Sequence, residues 1–346
     1  MKSHKERIII VTPGDSFFTG PQVRAFTKLG YECVTFNSRS GIMYGNQYMR
    51  KLARVLPWVN IFKKNSIAKM NDELIAMVKE VKPKLLFVIK GESIRPESIE
   101  AIKKLNVITV NFYNDLMNQW GTISRIAPVY DLFFNQCHVV LRRLWTELGL
   151  KNCFYMAHST EPLPESVLSR DRQYGVSFIG TYNRELYPNR EKYLMAVADL
   201  GLHIWGTDGW AKTPLKPCFC GRSEGDQRFD IYAKSKIVID VNWDLWPAEG
   251  LSNRPFEVTG CGALFMTDRT RKDITNAFQE NKEVVLFENE KELREKIVYY
   301  LERDTEREAI ARMGYERTLA DHTYMNRARQ IFDTIENPEK YLYKGV

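Results

Sequence analysis

Short apolar segments alternate with longer amphipathic ones along almost the whole chain, and this alternation constrains the fold more than any other feature. In the first half, the segments that predict buried strands are residues 8–11, 32–36, 84–89, 107–111, 132–135 and 152–156. Predicted helices lie between them at residues 22–29, 65–81, 96–105 and 140–148. Strands that alternate with helices in this way predict parallel, doubly wound α/β sheets.

The second half repeats the pattern, which predicts a second α/β domain. Its predicted strands are residues 176–179, 203–205, 237–242, 263–266 and 283–287, and its predicted helices are residues 190–200, 228–233, 273–278, 290–303 and 306–320. The polar segment 157–164 contains two prolines and is typical of a linker. At 346 residues the chain exceeds what one core usually serves. We therefore predict domains over residues 1–160 and 161–325, followed by a C-terminal segment, residues 326–346.

Composition and charge limit the classes of protein to consider. No apolar run reaches the roughly 18 residues that a membrane span needs, and residues 1–7 lead directly into the first strand, which argues against a signal peptide. The six cysteines are scattered and lack the paired spacing of a zinc site. We expect them to be reduced, as in a cytoplasmic protein. Residues 1–165 carry 23 Lys and Arg against 14 Asp and Glu, whereas residues 166–346 carry 27 against 29.

Part of the basic excess lies in residues 47–64, where Arg and Lys are interleaved with Leu, Trp and Phe. Such a segment is able to rest on an anionic membrane surface or on nucleic acid phosphates. The alternative is a helix with a solvated basic face and an apolar core face.

Two carboxylates, Glu249 and Glu257, stand eight positions apart around a turn. After the turn, residues 256–262 predict a short helix stopped by glycine, and residues 263–267 predict a fully buried strand. Sites in parallel α/β sheets lie at the carboxyl ends of strands, and one carboxylate is able to accept hydrogen bonds from both hydroxyls of a ribose. The alternative is a solvated loop with two ordinary surface glutamates.

This segment resembles the Glu-(seven residues)-Glu signature of retaining glycosyltransferases of GT-B fold. More closely, Asn-Arg-Pro-Phe-Glu at 253–257 with Gly-Cys-Gly-Ala-Leu at 260–264 resembles the spore-maturation CgeB type of glycosyltransferase domain. Further matches stand at residues 174–182, 189–190, 278–287, 311–317 and 322–324. The resemblance extends over residues 125–330.

The resemblance implies a GT-B fold, with two Rossmann-like, doubly wound parallel-sheet domains facing each other across a cleft. It implies that the N-terminal domain binds the acceptor, that the C-terminal domain binds a nucleotide-sugar donor, and that a final helix crosses back to the first domain. It also implies that Glu249 contacts the donor sugar and that Glu257 contacts the ribose.

Groups for the donor diphosphate and base are expected around turns of the second half. The turn at 180–184 follows a strand and precedes a helix, so backbone amides and the helix start are expected to face the phosphates. Arginine suits bidentate phosphate contacts, although each candidate arginine is equally explained as a surface residue. An aromatic ring is expected to stack on the base. The alternative is an aromatic residue of the core, which the sequence does not distinguish from a stacking one. The expected donor-binding residues are Gly180, Thr181, Arg184, Arg190, Gly206, Trp210, Tyr232, Asn253, Arg254 and Glu257.

No metal or dinucleotide cofactor is expected. An Asp-x-Asp motif is absent from the strand ends, where residues 240–244 are the nearest resemblance. We therefore expect a metal-independent transfer in which arginines and helix ends stabilise the leaving group. The Gly-x-Gly-x-x-Gly spacing is also absent after the first strand.

The catalytic groups depend on the stereochemistry. A retaining enzyme, as the resemblance implies, generally has no well-placed nucleophile, and the donor phosphate assists the acceptor hydroxyl. An inverting enzyme needs a base, for which Asp115 and Glu92 are candidates because both follow strands. His158 in the linker is a further candidate, with a structural role as the alternative. Glycines punctuate the loop after the first strand, and its residues Gly14, Asp15 and Gly20 are expected on the acceptor side.

The sequence thus predicts a cytoplasmic enzyme that transfers a sugar from a UDP-, GDP- or dTDP-sugar to an acceptor hydroxyl. The acceptor is left open among a protein, a polysaccharide, a lipid-linked sugar and a modified nucleic acid base. One alternative is a sugar-nucleotide epimerase or hydrolase of the same fold. Another is a non-catalytic protein that uses its basic half to bind nucleic acid or an envelope or spore surface. Such a protein would lie peripherally on the membrane or spore.

Overall fold

The computed structural model describes residues 5–14, 19–40, 57–115, 117–167, 171–242 and 249–342. The chain divides into two compact units, Met1–Met156 with Ala328–Val346, and Ala157–Arg327. Each unit is built around one parallel sheet, as the alternation of strands and helices predicted.

The sheet of the first unit has the order β2-β1-β3-β4-β5-β6, and every neighbouring pair is parallel. Its strands are β1 (Arg7–Thr12), β2 (Glu32–Asn37), β3 (Leu85–Ile89), β4 (Ile108–Phe112), β5 (Leu132–Asn135) and β6 (Cys153–Tyr155). All five residues of β3 are buried. Continuous burial of this kind is typical of a strand that helices cover on both faces.

The helices described in this part of the first unit are α1 (Thr19–Lys28), α2 (Pro57–Val81), α3 (Pro96–Lys103), α4 (Trp120–Ile126) and α5 (His138–Leu148). Gly149 ends α5 in a left-handed conformation (φ 65°), and its N–H donates to Trp145 O at 3.1 Å. The sequence did not predict α4, because a helix of two turns has too few positions to show a clear period.

The sheet of the second unit has the order β11-β10-β9-β7-β8, again with every pair parallel. Its strands are β7 (Tyr174–Gly180), β8 (Leu202–Gly206), β9 (Ser235–Asp240), β10 (Leu264–Asp268) and β11 (Val285–Phe287). The helices described after β7 are α6 (Arg190–Met195), α7 (Gln227–Ala233), α8 (Arg254–Gly260), α9 (Ile274–Ala277), α10 (Glu290–Glu302), α11 (Asp304–Asp321) and α12 (Tyr324–Glu336). Asn289 caps α10 by accepting the Glu292 N–H at 3.0 Å.

The first boundary between the units lies between Met156 and Ala157, four residues before the predicted one. Thr160 belongs to the second unit because its N–H donates to His322 O at 3.0 Å and its carbonyl accepts the Tyr324 N–H at 3.3 Å. The predicted linker therefore begins with residues that are part of the second unit.

The second boundary lies between Arg327 and Ala328, inside α12. From Ala328 onward the chain packs with the first unit, where Gln330 Nε2 donates to Tyr155 O at 2.8 Å. A short helix, α13 (Pro338–Tyr341), follows. In the described part of the chain, no helix has both the length and the apolar composition to span a membrane.

Candidate functional site

Three neighbouring strands of the second unit end at one edge of its sheet, and polar groups collect there. β7 ends at Gly180, β9 at Asp240 and β10 at Asp268. Parallel strands bring their carboxyl ends together, which is where ligands bind in α/β sheets. Asp268 accepts the Asn242 N–H at 2.6 Å and the Thr270 N–H at 2.9 Å. Burial raises the pKa of Asp268, and these hydrogen bonds oppose the rise.

Neither Gly180 nor Gly206 has room for a side chain where the structure places it. A Cβ at Gly206 would lie 1.9 Å from Gly180 O, and a Cβ at Gly180 would lie 2.7 Å from the Phe178 ring. Gly180 O also accepts a hydrogen bond from Trp210 Nε1 at 2.8 Å. Both glycines are expected in the donor site, and packing at the strand ends also accounts for them, against the backbone at Gly206 and against the Phe178 ring at Gly180.

The two aromatic candidates for base stacking are core residues. Trp210 has no exposed surface, and its ring packs against Phe178 and Tyr182. Tyr232 lies in α7 and is also fully buried. A base needs an open ring face, so the burial of both rings favours the core alternative for Trp210 and Tyr232. The sequence could not distinguish the two roles.

Arg190 joins the turn after β7 to the end of β9. Its Nη1 donates to Thr181 O and its Nη2 to Val241 O, each at 2.8 Å. Its guanidinium also lies 3.4 Å from the centre of the Tyr187 ring. Burial, with the nearby charge of Arg254, lowers the pKa of Arg190 to about 10. Arg190 therefore reaches the site as a buried cation that organises the backbone.

Arg254 forms an ion pair with Asp240, which is almost completely buried at the end of β9. Burial alone would lower the pKa of Arg254, but the charge of Asp240 and the contact with Tyr232 raise it above its ordinary value. In the sequence, Asp240 stands out only through the weak resemblance of residues 240–244 to a metal-binding motif. Its position at a strand end was the one signal in the sequence for this role.

The cluster of Arg190, Arg254 and Asp240 carries one more positive than negative charge. Within the part of the chain that the structure describes, the buried Nε atoms of Arg190 and Arg254 have no hydrogen-bond acceptor. Asn253, which precedes Arg254, has a buried Oδ1 that likewise has no donor among these residues. Buried N–H groups without acceptors are costly, and an anion at the cluster would satisfy them.

Glu257 lies in the first turn of α8 and is buried against Arg228 of α7. Arg228 Nη2 lies 3.3 Å from Glu257 Oε1, with side chains 14% and 9% exposed. Arg254 and Glu257 are three positions apart in α8, which places them on neighbouring parts of one helix face. Arg228 is not predictable from the sequence, because nothing local in α7 marks it as the partner of a carboxylate in α8.

Glu249 is half-buried and begins a turn that two buried charged residues hold. Arg271 Nη1 donates to Glu249 O at 3.2 Å, and Asp273 Oδ2 accepts the Gly250 N–H at 2.7 Å. Gly250 has a φ of 84°, which explains why glycine follows Glu249. The turn is therefore well anchored, whereas the residues just before it, 243–248, lie outside the described ranges.

Arg184 is the exposed member of the three candidate arginines. Its Nε and Nη2 donate to the carboxylate of Glu191 at 2.8 and 3.0 Å. Thr181, in the same turn, is also exposed. Among the described contacts, none joins Arg184 to the cluster of Arg190, Arg254 and Asp240. A contact between Arg184 and phosphate thus stays a prediction.

The candidate bases of the first unit follow β3 and β4. Lys90 Nζ donates to Asp115 Oδ2 at 2.8 Å, and Glu92 is half-buried two residues after Lys90. Lys90 has a φ of 61°, an uncommon conformation for a side-chain-bearing residue and one that recurs at functional sites. His158 is buried in the second unit, where its carbonyl accepts a hydrogen bond from Arg327.

The acceptor-side candidates lie at the end of β1 and the start of α1. Gly14 has a φ of 89°, and its N–H donates to Asn37 Oδ1 at 2.9 Å. Gly20 is in the first turn of α1. Asp15 lies outside the described residues, as do residues 47–56 of the basic segment.

Comparison with known proteins gives a family model for part of the chain. Residues 185–333 match the model described as "Glycosyl transferase-like". This match contains α6, the Glu249 turn and all of α8. No curated protein matches the chain in sequence.

Solved structures match the chain over nearly its whole length. A glycosyltransferase from Rickettsia africae has a TM-score of 0.63 and 12% identity, with 96% of this chain and 99% of that one covered. Sucrose-phosphate synthase from Thermosynechococcus elongatus has a TM-score of 0.67 and 10% identity, with 97% of this chain and 100% of that one covered. HepE from Anabaena, in complex with UDP, has a TM-score of 0.61 and 11% identity, with 96% of this chain and 99% of that one covered. The fold is GT-B. The two parallel-sheet domains expected of that fold are confirmed, and identities this low concern the fold alone.

Proposed function

We propose that this protein is a nucleotide-sugar-dependent glycosyltransferase of the CgeB-like type, with its donor site at the carboxyl edge of the second sheet. The observation that carries the proposal is the buried cluster of Arg190, Arg254 and Asp240, with Glu257 one helical turn from Arg254. A cation cluster with N–H groups lacking acceptors suits a diphosphate, and a carboxylate beside it suits a ribose. The family match to residues 185–333 supports the same assignment.

In the proposed mechanism, the cluster stabilises the nucleoside diphosphate as it leaves the sugar. The positive charge comes from arginines that are already fixed by backbone carbonyls and by Asp240, so little reorganisation accompanies bond breaking. We propose a metal-independent transfer with retention, in which the donor phosphate assists the acceptor hydroxyl. We propose that Glu249, whose turn is held by Arg271 and Asp273, contacts the donor sugar.

The donor base is proposed to be uracil, guanine or thymine. HepE, which shares the fold, has been crystallised with UDP, which makes UDP-sugars the first donors to test. We assign the acceptor to the first unit and the reaction to the cytoplasm. If the transfer inverts, Asp115 or Glu92 is the proposed base.

The test is release of nucleoside diphosphate from a panel of UDP-, GDP- and dTDP-sugars, with and without a cell extract as the source of acceptor. We expect one donor to be turned over faster with extract, and Glu257→Ala and Arg254→Ala each to lower the rate at least 10-fold, since a charged hydrogen bond contributes about 1.5–3 kcal/mol. Glu295→Ala, which removes an exposed carboxylate of the same unit, is the matched control and should leave the rate unchanged.

Two outcomes would replace the proposal. Turnover of the donor at full rate without any acceptor would identify an epimerase or a hydrolase. Failure of every donor, together with salt-sensitive binding to nucleic acid or anionic vesicles, would identify a binding protein. Wild-type rates in both Glu257→Ala and Arg254→Ala would reject the site while leaving the activity standing.

A further inference from the structure

We propose that Arg228 is a positioning residue that fixes the Glu257 carboxylate for the ribose and thereby makes the site select ribonucleotides over 2′-deoxyribonucleotides. This inference rests on the proposed function, because it assigns a task to the ribose-binding residue of that site. It concerns a contact between two helices, α7 and α8, that neither the sequence motif nor the family match assigns.

The first step is the pairing itself. Arg228 Nη2 lies 3.3 Å from Glu257 Oε1, and both side chains are more than four-fifths buried. A buried carboxylate without a cation would be strongly disfavoured in its charged form, which is the form that accepts hydrogen bonds from hydroxyls. Arg228 therefore places a positive charge beside the Glu257 carboxylate where water is largely excluded.

The second step is that Arg228 is itself held in place. Its Nη1 donates to Gly225 O at 2.5 Å, and its guanidinium lies 4.4 Å from the centre of the Phe229 ring. Gly225 has a φ of 53°, so the loop that presents this carbonyl has a conformation suited to glycine. Because the Gly225 carbonyl holds the Arg228 guanidinium in place, Arg228 in turn fixes the position of the Glu257 carboxylate.

The third step is that the pairing leaves acceptor capacity. A carboxylate has about four lone-pair sites, so the approach of Arg228 Nη2 to Oε1 at 3.3 Å uses only part of the acceptor capacity of Glu257. One oriented carboxylate is thus available to both the 2′- and the 3′-hydroxyl, and loss of the 2′-hydroxyl removes one charge-assisted hydrogen bond.

The experiment measures dissociation constants of UDP and 2′-deoxy-UDP, and of GDP and 2′-deoxy-GDP, by calorimetry. The wild type is expected to bind one ribonucleotide about 10-fold or more tightly than its deoxy form, as a hydrogen bond to a charged group allows. Arg228→Ala should reduce that preference to about 3-fold or less while changing affinity for the deoxy form little. Arg228→Lys keeps the charge and should restore part of the preference. Arg222→Ala, an exposed arginine paired with Asp208, should behave as wild type.

The possible failures are distinguishable. An equal loss of affinity for both nucleotides in Arg228→Ala and Arg228→Lys would mean that Arg228 contacts phosphate or supports the fold, and would overturn the inference. So would an undiminished preference in Arg228→Ala when Glu257→Ala abolishes it. If Arg228→Ala does not fold, the ratio of the dissociation constants for the deoxy form and the ribonucleotide is measured in Arg228→Lys and Arg228→Gln and decides in the same way. If the wild type binds neither ribonucleotide, the proposed function itself fails and this inference with it.

Discussion

Replacing Gly206 by alanine tests how the carboxyl edge of the second sheet is built. Gly206 stands beside Gly180 in the strand register, and a Cβ there would lie 1.9 Å from Gly180 O and 2.9 Å from Gly180 C. Because Cβ atoms in proteins essentially never come within 3.0 Å of another heavy atom, the oxygen and the new carbon must separate by at least 1.1 Å. Both strand ends are backbone, so no side-chain rotation relieves the overlap.

The energetic cost follows from two contributions. Overfilling a packed region costs about 1–3 kcal/mol. The displacement also stretches the hydrogen bond from Trp210 Nε1 to Gly180 O, now 2.8 Å, and an unsatisfied buried donor costs about 1–3 kcal/mol. We expect Gly206→Ala to lower the free energy of unfolding by about 3 kcal/mol, measured by urea denaturation of the second unit's transition. The Tm of that transition should fall by about 6–12 °C, at about 2–4 °C per kcal/mol for a unit of this size.

Gly175→Ala is the matched control, because Gly175 lies in β7, the neighbouring strand that ends at Gly180, and its Cβ would meet its nearest neighbours at 3.7 Å, an ordinary contact. It should change the free energy of unfolding by less than about 1 kcal/mol. A Gly206→Ala protein as stable as this control would refute the reasoning, since the strand ends would then have room that the geometry denies them.

Two further predictions concern stability. Asp240→Ala leaves Arg254 without its anion and should lower the free energy of unfolding by about 3 kcal/mol. The double variant Asp240→Ala with Arg254→Ala should lose less free energy of unfolding than the sum of the two single variants. Additive losses in this double-mutant cycle would contradict the ion pair. Burial lowers the pKa of His322 from 6.5 to about 4, so the unfolded chain binds this proton first and stability is lost as pH falls from about 6.5 to about 4. Between pH 7 and 5 the wild type should therefore lose about 2 kcal/mol more than His322→Gln, whereas equal pH dependence in equilibrium unfolding would show that His322 titrates normally.

Strand positions were predictable because a strand buried on both faces is a continuous apolar run bounded by turn residues. β5 was predicted over residues 132–135, where the structure has it. Helix ends were less predictable. The helix expected to reach residue 200 ends at Met195, and the chain continues in tighter turns such as that from Val197 N–H to Leu194 O at 3.2 Å. Helices and such turns use similar residues, so propensity does not separate them.

The candidate site was predictable where its residues share one motif, and not where they come from distant elements. Arg254 and Glu257 stand together in α8, so the motif found both. Asp240 and Arg228 belong to β9 and α7, and their roles depend on the order of strands and the packing of helices. Local periodicity does not encode that order. The same limit explains why Trp210, a polar-tipped aromatic, was equally compatible with a base-binding and a core position.

The most direct test of the donor site is the melting temperature of the second unit in the presence of nucleotide sugars. A ligand that binds only the folded form at 100 times its dissociation constant stabilises it by about 2.7 kcal/mol. For a unit of this size we predict a rise of about 5–10 °C with one UDP- or GDP-sugar, and a smaller rise with a dTDP-sugar, which lacks the 2′-hydroxyl. Glu257→Ala and Arg254→Ala should each show a much smaller rise than the wild type. If no nucleotide sugar raises the melting temperature of the wild type at millimolar concentration, the cluster of Arg190, Arg254 and Asp240 is not a donor site.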